Sequence, residues 1–233
     1  MARDGSVEIT AVNRHTSGRP ISERLYRYFD DPAHADDFVR GRIRVSTLGA
    51  CRIHEDARGD PGEGTVTRNS GHINSSSMPI EQFRQIAAST GVVIHGAPEN
   101  ITVSGSRLTT QILDAFVLCL TMKPPPSGLE DRFGPFCLEV QQPRDFADVL
   151  TLEVRKRYPG KPNGICFVQY RSRDFIGLEQ RTAPEACIKP ADHFEIEQEV
   201  RLVWILESRT AAENLRPEFF ESPHTKHHCK RIA

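Results

Sequence analysis

The chain has 233 residues and nearly balanced charge, with 30 Lys and Arg against 31 Asp and Glu, so it is not a generally basic nucleic-acid-binding protein. It is long enough to bury a sizeable core. No apolar run reaches the roughly 18 to 20 residues that cross a bilayer, and the N-terminus lacks an apolar signal core, which predicts neither membrane insertion nor secretion. Its six dispersed cysteines form no CxxC pair and indicate free thiols in a reducing, cytoplasmic compartment.

The first part of the chain predicts a polar arm followed by a strand, a helix and a second strand. Residues 1–20 are polar and are predicted as a flexible arm. LYRYF is typical of an aromatic strand, and the helix after it is delimited by Asp31 as N-cap, Pro32 as first residue and Gly41 just past its end. RIRVSTL then alternates polar and apolar side chains, as a half-buried strand does.

The middle of the chain predicts a long loop, a helix and several strands. Residues 54–79 are rich in Gly, Ser, Asp and Asn, which indicates a long loop that is a functional lid or a disordered insertion. A helix is predicted over residues 80–88, and GVVIHG and ENITVSG are predicted as strands. ILDAFVLCLTM is the most continuous apolar run, and it predicts a central strand.

The last part of the chain completes the sheet. FCLEVQ, GICFVQY and FEIEQEVRLVW are predicted strands, and Pro143 opens a helix. Residues 209–233 are predicted as a polar tail. The order of elements indicates an α+β fold with a mixed, mostly antiparallel sheet and a few flanking helices, in a single domain over residues 21–208.

The strand FEIEQEVRLVW carries an unusual set of charges. Residues two apart share a face of a strand, so Glu195, Glu197, Glu199 and Arg201 are expected on one side. Carboxylates on one face repel each other, which favours a nearby cation, sugar hydroxyls or arginine partners. The alternative is a solvent-facing strand in which Arg201 serves as the internal counter-ion.

Arginine and hydroxyl side chains mark the first two strands. Arg27 lies within LYRYF, and in a central strand it requires an anionic or hydrogen-bonding partner to offset its desolvation. The alternative is an edge strand with Arg27 in water. Ser46 and Thr47 near the end of RIRVSTL are small hydroxyl donors that either hold a ligand or cap the local backbone.

Two segments contain residue types that bind metals. Asp56, Asp60 and Glu63 provide oxygen ligands, although their spacing does not match an EF-hand. The C-terminal segment brings imidazoles and a thiol together, at His224, His227, His228 and Cys229, without a second ligand pair. The sequence contains no GxSxG nucleophile elbow, no Walker loop and no GxGxxG dinucleotide fingerprint.

The arginine in the first strand, the Ser-Thr pair after the second and the downstream glutamate strand together resemble the R-S-E arrangement of the ADP-ribosyltransferase-like superfamily. LYRYF, RIRVSTL, EDARGDPGEG and EQEVRLVW also resemble blocks of a bacterial family of unknown function. The resemblance implies that Arg27 anchors a phosphate or ribose of NAD and that Ser46 or Thr47 shapes the nicotinamide pocket. It further implies that Tyr26 contributes to NAD binding and that Glu199 or Glu197 is the catalytic carboxylate.

Three functions remain open on these grounds. The first is an NAD-consuming ADP-ribosyltransferase or NAD glycohydrolase, a toxin or defence effector acting on protein, nucleic acid or NAD itself, with an antitoxin or another protein as partner. The second is a non-catalytic interaction module in which the glutamate strand is a surface edge. The third is a metal-dependent hydrolase or nuclease that uses the acidic residues.

Overall fold

A computed structural model describes residues 24–53 and 59–233, and its elements form an α+β fold as predicted. The sheet core is mostly antiparallel and is flanked by helices, which confirms the predicted fold class. The predicted arm at 1–20 lies outside the described residues. Within the described part of the chain, no helix is both long and apolar enough to cross a membrane.

The elements follow each other in a regular order along the chain. The strands are β1 (Arg24–Phe29), β2 (Arg42–Thr47), β3 (Thr65–Asn69), β4 (His72–Asn74), β5 (Thr102–Ser104), β6 (Arg107–Gln111), β7 (Phe116–Thr121), β8 (Phe136–Gln141), β9 (Gly160–Phe167), β10 (Gln169–Tyr170), β11 (Asp174–Ile176), β12 (Ile188–Lys189), β13 (Glu199–Leu206), β14 (Glu218–Glu221) and β15 (Cys229–Arg231). The helices are α1 (Pro32–Arg40), α2 (Leu48–Arg52), α3 (Ile80–Ser89), α4 (Glu130–Phe133), α5 (Pro143–Arg157), α6 (Ala191–Phe194) and α7 (Arg209–Glu213), and 3-10 turns cover Glu185–Cys187, Glu195–Glu197 and Pro223–His228.

The large sheet is organised around β7. Strands β14, β2, β7, β1, β8 and β15 follow in this order, and β13 and then β9 extend the sheet from β7. All pairings in this sheet are antiparallel. Smaller sheets pair β10 with β12, β3 with both β11 and β6, and β4 with β5. The apolar run of β7 therefore forms a central strand, as predicted.

Helix α1 begins and ends where the sequence predicts. The Asp31 side chain accepts a hydrogen bond from the Ala33 backbone N–H at 2.8 Å, and Pro32 is the first helical residue. Gly41 ends the helix in the left-handed conformation, with φ of 93°. This backbone conformation is costly for any residue that has a Cβ. This stop turns the chain directly into β2.

The main core lies between the large sheet and helices α1 and α5. Phe38 of α1 stacks on Phe146 of α5 with ring centroids 5.7 Å apart, and both are buried against strand residues such as Leu25 and Val200. Trp204 of β13 is buried in the same cluster and donates a hydrogen bond from its indole nitrogen to the Thr151 hydroxyl at 3.0 Å. This packing fixes the positions of the strands that bear the candidate site.

Three local predictions differ from the structure. The predicted loop at 54–79 contains β3 and β4, because polar and hydroxyl side chains there pair across small sheets without a strong apolar alternation. GVVIHG forms no strand, and its Val93 is exposed. Residues 209–233, predicted as a polar tail, contribute β14 beside β2 and β15 beside β8.

Candidate functional site

The large sheet has a gap along one edge of β7. Strand β13 pairs with β7 along its whole length, from Thr121 to Phe116, and so occupies one edge of that strand. The other edge is shared, because β2 pairs with its first residues through Ser46 and Val117, whereas β1 pairs with its last residue through Tyr26 and Thr121. Cys119 lies between these pairings. A cavity of about 650 Å³ occupies this opening between β1 and β2.

The cavity brings together most of the residues singled out from the sequence. Tyr26, Arg27, Ser46, Glu197 and Glu199 all contribute to its wall. Their roles toward a ligand stay predictions, and what the structure shows is that these side chains line one cavity. Residues from distant parts of the described chain meet here because β1, β2 and β13 all pair with β7.

Thr47 has a different position. Its side chain is buried, and its hydroxyl accepts a hydrogen bond from the Ala50 backbone N–H at 3.0 Å, which caps the start of α2. This is the local capping alternative considered for the Ser-Thr pair. Ser46, the preceding residue, points to the opposite side of β2 and lines the cavity.

Arg27 lies on an interior strand, since β1 is paired with both β7 and β8, so the edge-strand alternative is wrong. Its Nη1 donates a hydrogen bond to the Cys119 carbonyl at 3.0 Å, and its guanidinium stands over the rings of Phe29 and Phe38. Desolvation lowers the pKa of Arg27. No carboxylate of the described residues lies within ion-pair distance, which leaves this cation available to an anionic ligand.

Arg201 forms the centre of a buried charge cluster. Its guanidinium binds Glu63 through two hydrogen bonds of 2.6 and 2.9 Å, and Glu199 through two of 2.7 and 3.2 Å. It also donates to the Ala186 carbonyl. The Arg201 side chain is 1% exposed, so all of these contacts form away from solvent.

Lys189 connects the second glutamate to this cluster. Its Nζ lies 2.8 Å from Glu199 and 3.1 Å from Glu197. Arg132 binds the other oxygen of Glu197 at 3.0 Å and donates to the His193 carbonyl at 2.8 Å. Glu197 and Glu199 are therefore held side by side by a shared ammonium group.

The two neighbouring carboxylates have opposite pKa shifts. Burial by itself raises the pKa of Glu199, but the Arg201 guanidinium and the Lys189 ammonium outweigh it and hold that pKa below its usual value. Burial raises the pKa of Glu197, and Lys189 offsets only part of this effect. The site thus contains one carboxyl group that stays ionised and one that accepts a proton more readily.

The glutamate segment differs from the prediction in two respects. Glu195–Glu197 is a 3-10 turn, and the strand starts only at Glu199 after Gln198, whose φ of 43° lies in the left-handed region. Glu195 is exposed and is not among the residues that line the cavity. Since β13 pairs on both sides and Arg201 is buried, the solvent-facing alternative is wrong.

Much of the remaining cavity wall is aromatic and basic. Rings line it at Tyr26, Tyr28, Phe29, Phe38, Phe133 and Phe219, and basic side chains line it at His34, Arg42 and Arg44. Arg42 is paired with Asp37 at 2.7 Å and stands over Phe219. Arg44 is exposed and has no ion-pair partner within the described ranges. Aromatic faces with unpaired cations are suited to a ligand that combines flat rings with anionic groups.

Several contributors were missed or misassigned from the sequence. Lys189 stands alone in an apolar segment, CIKP, and this isolation was a usable signal for a buried ion pair. Cys51 and Cys119 line the cavity without any distinguishing motif. Tyr170 supports the start of β13, because its hydroxyl accepts a hydrogen bond from the Glu199 backbone N–H at 2.7 Å.

The acidic residues considered as metal ligands bind arginines. Asp60 pairs with Arg173, whose Nη1 lies 2.8 Å from Oδ1, and Glu63 pairs with Arg201. Asp56 lies outside the described residues. In the ranges 24–53 and 59–233, which include the C-terminal histidines, no group of three His, Cys, Asp or Glu side chains is arranged to hold a metal ion.

Comparison with known proteins adds no family assignment at this point. The chain matches no protein-family model, no curated protein and no solved structure.

Proposed function

We propose that the cavity between β1 and β2 binds NAD and that the protein is an NAD-consuming ADP-ribosyltransferase or NAD glycohydrolase. The observation that carries this proposal is that Arg27, Ser46, Glu197 and Glu199 line one cavity although they are distant in sequence. Its volume of about 650 Å³ is within the range of small-molecule sites.

The cavity wall supplies groups suited to each part of a dinucleotide. Arg27, which has aromatic neighbours and no carboxylate partner in the described chain, binds the diphosphate or a ribose oxygen. The aromatic rings accept the flat bases by stacking. Ser46 contributes a hydroxyl to the wall of the cavity that the carboxylates also line.

The carboxylate pair supports chemistry at the glycosidic bond. When the bond between nicotinamide and ribose breaks, its electron pair leaves with nicotinamide and positive charge develops on the ribose. Glu199, which stays ionised, stabilises that charge. Glu197, whose pKa is raised, takes the proton of the incoming nucleophile. Water as nucleophile gives free ADP-ribose, and a side chain or base of an acceptor gives an ADP-ribosylated product.

The acceptor of the ADP-ribose group is a macromolecule or water. A toxin or defence effector of this type modifies a protein or nucleic acid, or depletes NAD, and an antitoxin or other partner protein would restrain it. All six cysteines are free thiols, which fits action in the reducing cytoplasm.

The direct test is incubation of the purified protein with NAD, with nicotinamide release and acceptor adducts followed by mass spectrometry. Glu199→Gln is expected to lower nicotinamide release at least about a hundredfold, because it removes the charge that stabilises the transition state. Arg27→Ala is expected to weaken NAD binding about tenfold to a hundredfold, because it removes a charged hydrogen-bond donor.

Glu195→Gln provides the matched control, since it makes the same chemical change at an exposed glutamate two residues before Glu197. Circular dichroism must show that each variant is folded. Nicotinamide release that is equal in the Glu199→Gln and Glu195→Gln variants would remove Glu199 from the mechanism.

A second candidate is a nucleotide-binding module without catalysis. Its support is that Glu197 and Glu199 are both ion-paired already, which weakens the field either can exert on a ligand. The original form of this alternative, a surface-edge strand, is wrong because β13 is paired on both sides. NAD binding measured by calorimetry without any nicotinamide release would favour this candidate.

A further inference from the structure

Two thiols occupy the wall of the same cavity. Cys51 is on α2 and Cys119 is on β7, and both line the opening between β1 and β2. Both pack against one small apolar cluster that includes Leu48 and Val117. Residues 51 and 119 are far apart in sequence, so the fold alone brings these thiols together.

Their exposure distinguishes them from most other cysteines of the chain. Cys51 and Cys119 are partly exposed, whereas Cys137, Cys166 and Cys187 are buried. A thiol that lines an open cavity is accessible to small oxidants, and a thiol sealed in the core is not. Cys229 is also partly exposed, but it lies on β15 and does not contribute to the cavity wall.

The two thiols have complementary protonation behaviour. A hydrogen bond from the Cys119 thiol lowers the pKa of Cys51, and the nearby Arg201 guanidinium lowers it further. The same hydrogen bond, together with burial, raises the pKa of Cys119. Glu63 and Glu199 also face the pair and act against the thiolate. Cys51 is therefore the thiol of the pair that loses its proton more readily.

We propose that Cys51 and Cys119 form an oxidative modification site at which hydrogen peroxide produces a disulfide in the cavity wall. The Cys51 thiolate attacks one peroxide oxygen, the O–O bond breaks, and Cys51 becomes a sulfenic acid as hydroxide leaves. The Cys119 sulfur then attacks the Cys51 sulfur, the S–O bond breaks, and water leaves with the Cys119 proton. Peroxide is reduced, the two thiols are oxidised, and the new bond ties α2 to β7.

The test uses the folded, full-length chain. After exposure to hydrogen peroxide, the protein is denatured without reductant, its remaining thiols are alkylated with N-ethylmaleimide, and its intact mass and peptides are measured. We expect alkylation at four of the six cysteines. We also expect one disulfide-linked peptide pair, which joins Cys51 to Cys119 and separates on reduction. Reduction before alkylation should restore labelling at all six cysteines.

Single variants separate the two roles. In Cys119→Ser, Cys51 has no resolving thiol, so its sulfenic acid should accumulate and be captured by dimedone. In Cys51→Ser, the disulfide should be lost and Cys119 should remain alkylatable. Cys229→Ser is the control and should form the disulfide as the unaltered protein does.

Other outcomes would overturn the proposal. These are a disulfide that involves Cys229 or a core cysteine, oxidation of Cys51 that is not followed by linkage to Cys119, and full alkylation after peroxide treatment. The disulfide is expected whether or not NAD is the ligand of the cavity, so its failure is distinguishable from failure of the nucleotide assays.

Discussion

At the residue scale, the candidate site depends on Arg201, the largest fully buried side chain of the described residues. Charges are expensive to bury, and the cost is offset only where partners and hydrogen bonds are complete. Arg201 meets this condition through Glu63, Glu199 and the Ala186 carbonyl. The whole cluster contains three acidic and three basic side chains, at Glu63, Glu197, Glu199, Arg132, Lys189 and Arg201.

Removal of the central cation should destabilise the protein strongly. Arg201→Met keeps most of the side-chain volume but leaves Glu63 and Glu199 without their main partner. We expect the free energy of unfolding to fall by about 3–5 kcal/mol, as measured by urea denaturation.

Arg42→Met is the matched control for this substitution. Arg42 pairs with Asp37 and Glu221 at the surface, and such pairs contribute about 0–1 kcal/mol. If the two variants have the same stability, the buried cluster does not support the fold in the way described.

At the element scale, α2 shows how a short helix positions one wall of the cavity. It has only five residues, from Leu48 to Arg52, and isolated helices of this length are unstable in water. Its start is held by the Thr47 cap, and the Gly49 backbone N–H donates to the Asp114 carboxylate at 2.7 Å. At its end, Arg52 donates to the Glu63 carbonyl at 2.8 Å. These contacts hold Cys51 at the cavity.

Loss of the cap should destabilise α2 measurably. Thr47→Ala removes the acceptor for the Ala50 N–H, and we expect a cost of about 0.5–2 kcal/mol in the free energy of unfolding. Thr47→Ser retains the hydroxyl and should recover most of the loss attributable to the cap. Thermal and urea unfolding of both variants provides the measurement. An alanine variant as stable as the serine variant would show that the cap contributes nothing.

At the scale of the whole molecule, residues 218–233 supply two strands of the large sheet. In the strand order β14-β2-β7-β1-β8-β15, they form the first strand and the last. Strand β14 covers β2 and strand β15 covers β8, so residues 218–233 close the sheet on two sides. Phe220 is fully buried and meets Phe116 and Tyr158 edge-on at 5.4 and 6.4 Å between centroids. The C-terminal segment therefore contributes Phe220 to the core and strands to both ends of this strand order.

Truncation before β14 should abolish cooperative unfolding, because it exposes two strand edges and removes core packing at once. The milder variant Phe220→Ala should cost about 3–5 kcal/mol. Lys230→Ala, at an exposed position of β15, should leave stability unchanged within about 0.5 kcal/mol. Calorimetric melting compares the three chains. Retention of the full-length melting temperature after truncation would contradict this account.

The parts of the fold that could be predicted from the sequence were those encoded by residues close together along the chain. The cap, proline and glycine around α1 determined its ends, because each acts on the backbone within a few residues. The continuous apolar run determined β7 as a central strand, since only a strand covered on both faces tolerates it. The short strands β3 and β4 were missed, because their polar sequences carry little period-two signal and gain stability from partners.

The candidate site divides in the same way. By itself, the sequence determined which side chains were chemically unusual, namely an arginine among aromatic residues at Arg27 and repeated glutamates before Arg201. Only the tertiary structure decided that Arg201 and Lys189 neutralise Glu199, that Thr47 caps a helix, and that the sheet opens at Cys119. Those outcomes depend on pairings between residues distant along the chain, and no local periodicity specifies such pairings.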